Sequence, residues 1–243
     1  MVDWVVGVAV VTVFVAFFLR GYAGFGASLI CIAVLTFFWP PDRVVPLVFL
    51  LEVGASLLML RSVWGVVEWR SLSWLLVGTL VATPLGVLVL SVVSPGIMSA
   101  AISVLIAAAA VLLLSGWKLP KMPGAAGTLG VGGLVGVLNG AAAIGGPPAV
   151  LFYYSAPISV AAVRATLAVF FLVADAFGAG YAATQGFYDS DLLWLSAALT
   201  VAMAAGIWAG SRSFIFADPA AVRRSALVAL AGLAVIGLIR QAF

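Results

Sequence analysis

The sequence predicts an all-α polytopic membrane protein, and three observations carry that prediction. Of the 243 residues, 65% are hydrophobic and 8% charged, whereas a soluble domain carries charge on about a quarter of its residues. The uncharged stretches Ser71–Trp117 (47 residues) and Met122–Val163 (42 residues) each exceed the roughly 20 residues of one helical span, so each holds more than one membrane element. Strict period-two alternation is missing, which argues against an outer-membrane barrel.

Apolar segments fall at about 4–19, 26–39, 44–60, 72–91, 97–117, 127–142, 147–157, 165–184, 192–211 and 221–239. Four of them, 4–19, 26–39, 127–142 and 147–157, hold 16, 14, 16 and 11 residues, too few to cross a hydrocarbon core about 30 Å thick at helical rise. These short segments pair across two glycine motifs. The first is Gly21-Tyr-Ala-Gly-Phe-Gly26; the second, 119 residues later, is Gly140-Ala-Ala-Ala-Ile-Gly145 followed by Gly146-Pro147-Pro148. Helix interruption at membrane depth is tolerated where it lines a cavity, so a duplicated broken segment points to a transporter's binding site.

Punctuation sets the other boundaries. Trp39-Pro40-Pro41-Asp42-Arg43 ends the first broken element, Ser94-Pro95-Gly96 turns between two spans, and the segment from Lys118 to Gly124 joins the halves. The halves, 1–120 and 125–243, read as two membrane repeats that together make one transporter domain. Leu80–Gly86 also aligns with Thr200–Gly206.

Charge decides between two topologies. If each short pair were one continuous crossing, Lys and Arg would divide evenly between the sides. If each pair is a re-entrant hairpin, one side collects Arg61, Arg70, Lys118, Lys121, Arg164, Arg212, Arg223 and Arg224 and the other keeps Arg43 and Arg240, which obeys the positive-inside rule. Each half then holds a broken, re-entrant helical hairpin plus three transmembrane helices. That is an odd number of crossings, so the second repeat is expected to run inverted relative to the first.

No basic block tracks a phosphate backbone, so nucleic acid is not an expected partner; the lipid bilayer is. With one cysteine, Cys31, no disulfide forms within the chain, and without any histidine the common ligands of metal and haem sites are missing, so neither metal nor cofactor is expected. The N-terminus lacks a basic n-region and a cleavage site, which places residues 4–19 in the mature fold.

The broken Gly-x-Gly element heading each half, with Ile144-Gly-Gly-Pro-Pro148 in the second, resembles the TauE/SafE sulfite exporter family, and the resemblance covers nearly the whole chain. It implies a multi-pass protein of the bacterial inner membrane that moves sulfite or small organosulfonates, outward in most readings and inward in some members. The first half departs from the pattern, having Ala27 and Ser28 where the second has two prolines.

Candidate residues follow from backbone physics. Where a helix restarts, its free N–H groups and dipole favour an anion. Gly24, Gly26, Gly145 and Gly146 admit close approach, Ala27 and Pro147 open the restarting helices, and Ser28 adds a hydroxyl. Arg20 and Asn139 each lie one residue before the motif's first glycine; an arginine holds two oxygens of a sulfonate in parallel and an asparagine amide donates to a third. Glycines in apolar segments can equally serve packing, Arg20 can snorkel to the interface, and Asn139 can cap a helix. Glu52 and Asp175 are the two acids inside spans, about 12 Å deep by helical rise; proton coupling, fixing of Arg20 and a structural ion pair are all open to them. Trp4, Trp39, Trp69, Trp74, Trp117 and Trp194 near segment ends read as interfacial anchors, as do Tyr153 and Tyr154. The expected function is a secondary transporter of small sulfur-containing anions, with an anion channel, and then an intramembrane enzyme or accessory subunit, as alternatives.

Overall fold

The computed structural model describes residues 3–92, 119–142, 145–184, 186–218, 220–222, 224, 225 and 228. The expected span 97–117, its preceding turn at Ser94-Pro95-Gly96, Trp117, Ala143 and Ile144, and all but the first few residues of the span 221–239 lie outside the described residues. Every regular element among the described residues is a helix. In order they are α1 (Asp3–Ala23), α2 (Ala27–Leu35), α3 (Pro41–Val63) with a 3-10 turn at Trp64–Val66, α4 (Trp69–Val92), α5 (Ala125–Ala142), α6 (Gly146–Ser155), α7 (Val160–Thr184) and α8 (Ser190–Ile215).

The boundaries repeat at the spacing of the glycine motifs. The last residues of α1 and α5, the first residues of α2 and α6, and the first residues of α3 and α7 are each 119 positions apart. Local chemistry explains several of these ends. Pro41 opens α3, where its missing N–H is no loss. Asp189 caps α8: its Oδ1 accepts from the Leu192 amide at 2.7 Å and its Oδ2 from Arg43 Nη2 at 2.8 Å. These bonds, the Leu192 amide foremost, hold the Asp189 carboxyl below the usual aspartate range, so the cap is complete at neutral pH and is lost only as pH falls below that range.

One expectation needs correction. The segment 4–19 was too short to span, but α1 runs 21 residues to Ala23 and carries Arg20 in its last turn. A charge ends an apolar run on a hydropathy reading, yet it does not end a helix when the charge is paired inside the protein. Trp4–Ala23, Arg43–Leu60, Val160–Thr184 and Ser190–Ile215 are, among the described residues, long and apolar enough to cross a membrane. The short partners, α2 and α6, have 9 and 10 residues.

The chain forms two compact units, residues 1–65 with 168–222 and residues 66–167 with 223–243. In the first, the rings of Trp4 and Phe38 meet edge to face at 5.5 Å, so α2 folds back toward the start of α1. In the second, the Leu119 amide donates to the Ser155 carbonyl at 2.8 Å, which brings the end of α6 back beside the approach to α5. Both short pairs are antiparallel.

Each unit also carries one close helix pairing through glycine: α1 with α8, and α4 with α5. A Cβ at Gly206 would stand 2.5 Å from the Phe14 carbonyl oxygen, and one at Gly21 2.7 Å from that of Ile207. A Cβ at Gly78 would stand 2.5 Å from the Leu129 carbonyl oxygen and 2.9 Å from the Gly133 nitrogen. Small residues let backbones approach where lipid offers no hydrophobic drive for helix association. Gly78→Ala is therefore expected to cost about 1–3 kcal/mol by overpacking and to lower the midpoint of thermal unfolding in detergent. Gly7→Ala, where a Cβ meets nothing within 4 Å, should leave the midpoint unchanged.

Candidate functional site

The first break is built by glycine. Gly24 and Gly26 have φ of 90° and 97°, a left-handed conformation that costs a residue with a Cβ about 1–2 kcal/mol. The Gly24 amide closes the last turn of α1 on the Arg20 carbonyl at 2.6 Å, and α2 then starts at Ala27. Its first intrahelical bond from the amide side runs from Ile30 to the Gly26 carbonyl, which leaves the amides of Ala27, Ser28 and Leu29 as the donors at the tip.

Arg20 is 1% exposed and lies at the centre of a polar cluster. Its Nη1 is 2.6 Å from Glu52 Oε2, its Nη2 donates to Ser56 Oγ at 2.5 Å, and its guanidinium carbon stands 4.9 Å from the centroid of the Phe171 ring. Snorkelling is excluded: the side chain turns inward. The Ser28 amide and hydroxyl face the same Glu52 carboxylate, and Asp175 is close enough for its charge to act on both Arg20 and Glu52. In this cluster Arg20 Nε, both Glu52 carboxylate oxygens and Asp175 Oδ2 make no hydrogen bond of good geometry among the described residues, so the Arg20–Glu52 contact is an ion pair.

Two members of this cluster, Ser56 and Phe171, escaped the sequence reading. A signal for them existed. Glu52 and Ser56 are four apart on α3, Phe171 and Asp175 four apart on α7, and the two pairs are 119 residues apart. Side chains 119 positions apart on α3 and α7 thus close on one arginine.

The second break differs. Gly145, which precedes α6, has φ −75° and ψ −16°, ordinary right-handed values that any residue adopts. It is buried instead because its neighbours leave no room: a Cβ there would lie 3.0 Å from Asn139 Cβ and 3.2 Å from Asn139 Oδ1. Asn139 therefore does sit beside the restart of α6. Gly146 opens that helix and Pro147 and Pro148 follow, both buried, so its first turn has lost two N–H groups relative to α2.

Tyr153 and Tyr154 are buried, not interfacial. The Tyr153 hydroxyl lies 3.4 Å from Ser71 Oγ, and nearby the Glu68 amide donates to Thr166 Oγ1 at 3.0 Å. The tryptophans at 4, 69, 74 and 194 are exposed, as side chains facing lipid and its headgroups are.

Among the described residues no group of three His, Cys, Asp or Glu side chains could hold a metal ion. What the first tip can do chemically is seat an anion: a fixed cation and the amide and hydroxyl of Ser28 face one point, and a carboxylate stands there.

Comparison with known proteins accords with this chemistry. The family described as sulfite exporter TauE/SafE matches residues 9–236. The probable sulfite/organosulfonate exporter TauE of Cupriavidus necator is 27% identical over 219 residues, covering 86% of this chain and 84% of its own length. No solved structure matches.

The ion pair predicts a particular stability pattern. Arg20→Met leaves the Glu52 carboxylate buried without its cation and should cost about 3–5 kcal/mol, whereas Arg20→Met with Glu52→Leu should recover most of that loss. Thermal unfolding of the three proteins in detergent measures it.

Proposed function

Since the chain belongs to the sulfite exporter TauE/SafE family, matched over residues 9–236, we propose that it exports small sulfur-containing anions such as sulfite or organosulfonates by alternating access. The protein is a transporter and not an enzyme, a multi-pass protein of the bacterial inner membrane. In this reading the binding site lies near the midplane and both broken-helix tips contribute to it, the two repeats being inverted with respect to each other. Arg20, Gly24, Gly26, Ala27 and Ser28 serve the first tip, and Asn139, Gly145, Gly146 and Pro147 the second.

The observation that carries the proposal is a buried guanidinium one turn before a glycine break, with the Ser28 amide and hydroxyl of the restarting helix facing the same carboxylate. A buried cation costs on the order of 3 kcal/mol on insertion scales, which the Glu52 carboxylate and Ser56 hydroxyl offset here. Guanidinium and helix N-terminus are also complementary to tetrahedral or pyramidal oxyanions, since one offers two parallel donors and the other single amides from a different direction. The name of the Cupriavidus necator relative supplies the sulfur-anion class. No nucleotide-binding Gly-x-x-x-x-Gly-Lys-Ser/Thr motif occurs in the sequence, so in this reading the energy comes from gradients or from a separate partner.

Two measurements test this. Arg20→Ala should weaken sulfite or organosulfonate binding by about tenfold or more, the value of a charge-assisted bond pair, while Arg224→Ala, at an exposed position, should not; equal effects return Arg20 to a structural role. Gly146→Leu should abolish sulfite flux into or out of proteoliposomes with membrane insertion intact, and unimpaired flux removes the second tip from the site.

A further inference from the structure

The seat at the first tip is already filled by the protein itself. Glu52 reaches from α3 to place a carboxylate between the Arg20 guanidinium at 2.6 Å and the Ser28 amide and hydroxyl at the start of α2. Those are the groups that the transport reading assigns to the substrate. A carboxylate and a sulfonate present the same thing to such a site, two or more anionic oxygens in a plane of donors, so both cannot hold it at once.

Resting on that reading, we infer that Glu52 is a tethered competitor of the transported anion: its carboxylate seals the first tip when no substrate is present, and it leaves as the anion enters. Charge balance fixes what happens to it. Arg20 and Glu52 together are neutral, and an arriving monovalent anion would leave this dry pocket with one uncompensated negative charge, which a low-dielectric interior resists. The balance is restored when one proton from the aqueous side binds Glu52 as the anion binds Arg20. The displaced side chain is then a neutral acid, and the guanidinium keeps one anionic partner throughout.

The groups around Glu52 fit this role. Arg20 faces it from α1, Ser28 and the buried Cys31 from α2, and Asp175 from α7. On α8, which meets α3 where Met203 stands against Gly54, the ionisable residues Asp191 and Arg212 lie in the first and last turns. Asp175 is the second place where the proton could rest, and its Oδ2 has no hydrogen-bond partner among the described residues. Its counterpart in the first half is Ser56, which already holds Arg20. The geometry therefore gives Glu52 the direct contact and Asp175 a share of the field.

Ethanesulfonate, which stays ionised throughout the working pH range, is the probe. Purified protein in weak buffer is titrated with it, and both heat and proton uptake are read. The native protein should take up close to one proton per anion bound, with affinity rising as pH falls. Glu52→Gln removes the competing charge without changing the side chain's shape; it should bind about tenfold more tightly at neutral pH and take up no proton. Unchanged affinity with unchanged proton uptake in Glu52→Gln overturns the inference while leaving the transport reading standing. So does uptake that survives Glu52→Gln and disappears in Asp175→Asn. Absence of binding by the native protein to both ethanesulfonate and sulfite overturns the transport reading and this inference together. Should Glu52→Gln fail to fold, the native protein alone decides, because binding without proton uptake is incompatible with the exchange described.

Discussion

A buried arginine is the constraint around which the first compact unit is arranged. Arg20 has one hundredth of its surface exposed, and a guanidinium in that position must find an anion, further acceptors and a polarisable neighbour, or it destabilises the fold by several kcal/mol. Glu52, Ser56 and Phe171 meet those three needs. Because they come from α3 and α7, the same requirement draws two spans around the end of α1. It also explains why α1 remains helical through a charged residue: the last turn closes on the Arg20 carbonyl by way of the Gly24 amide, and the chain breaks only where glycine permits a positive φ.

The close helix pairs follow a second constraint. In lipid, apolar side chains gain little by meeting one another, so association depends on backbone approach. Gly21 and Gly206 bring α1 and α8 together, and Gly78 does so for α4 and α5. In both cases the partners come from different sequence halves: α8 is the second-half counterpart of α4, and α5 that of α1. Each compact unit therefore joins a hairpin from one half of the sequence to the last described long helix of the other.

The amino-acid sequence disclosed the helical class and the two breaks because the same Gly-rich interruption recurs 119 residues apart at the ends of short uncharged runs. Arg20, Glu52 and Asp175 were legible for a similar reason, since ionisable residues in such runs are rare enough to stand out. Their partnership was less so. Arg20 and Glu52 are 32 residues apart, and nothing local in the chain says that a side chain on α1 turns toward α3 and not toward the interface. The length of α1 was misjudged for the same reason, a hydropathy reading having no way to know that a charge is neutralised elsewhere. Tyr153 and Tyr154 were misplaced because an aromatic at a helix end looks the same whether it meets headgroups or the Ser71 hydroxyl.

The two tips, alike in sequence position, differ in what they offer an anion. The first has the Ser28 amide and hydroxyl and a cation, but a carboxylate already on them; the second has no resident charge described, but two of its early positions are prolines without an amide N–H. Under the exchange proposed above, the first tip takes an anion only when Glu52 withdraws, which ties occupancy to a proton and changes the energetics of movement. For a monovalent organosulfonate accompanied by one proton, no net charge crosses the membrane, so the potential drops out and concentration gradients decide direction. For a divalent anion such as fully ionised sulfite, one negative charge still crosses, and an inside-negative potential favours exit by about 2.3 kcal/mol per 100 mV. The same divalent anion would leave one uncompensated charge beside Arg20 even with Glu52 protonated, so the charge that favours its exit also opposes its entry into the pocket.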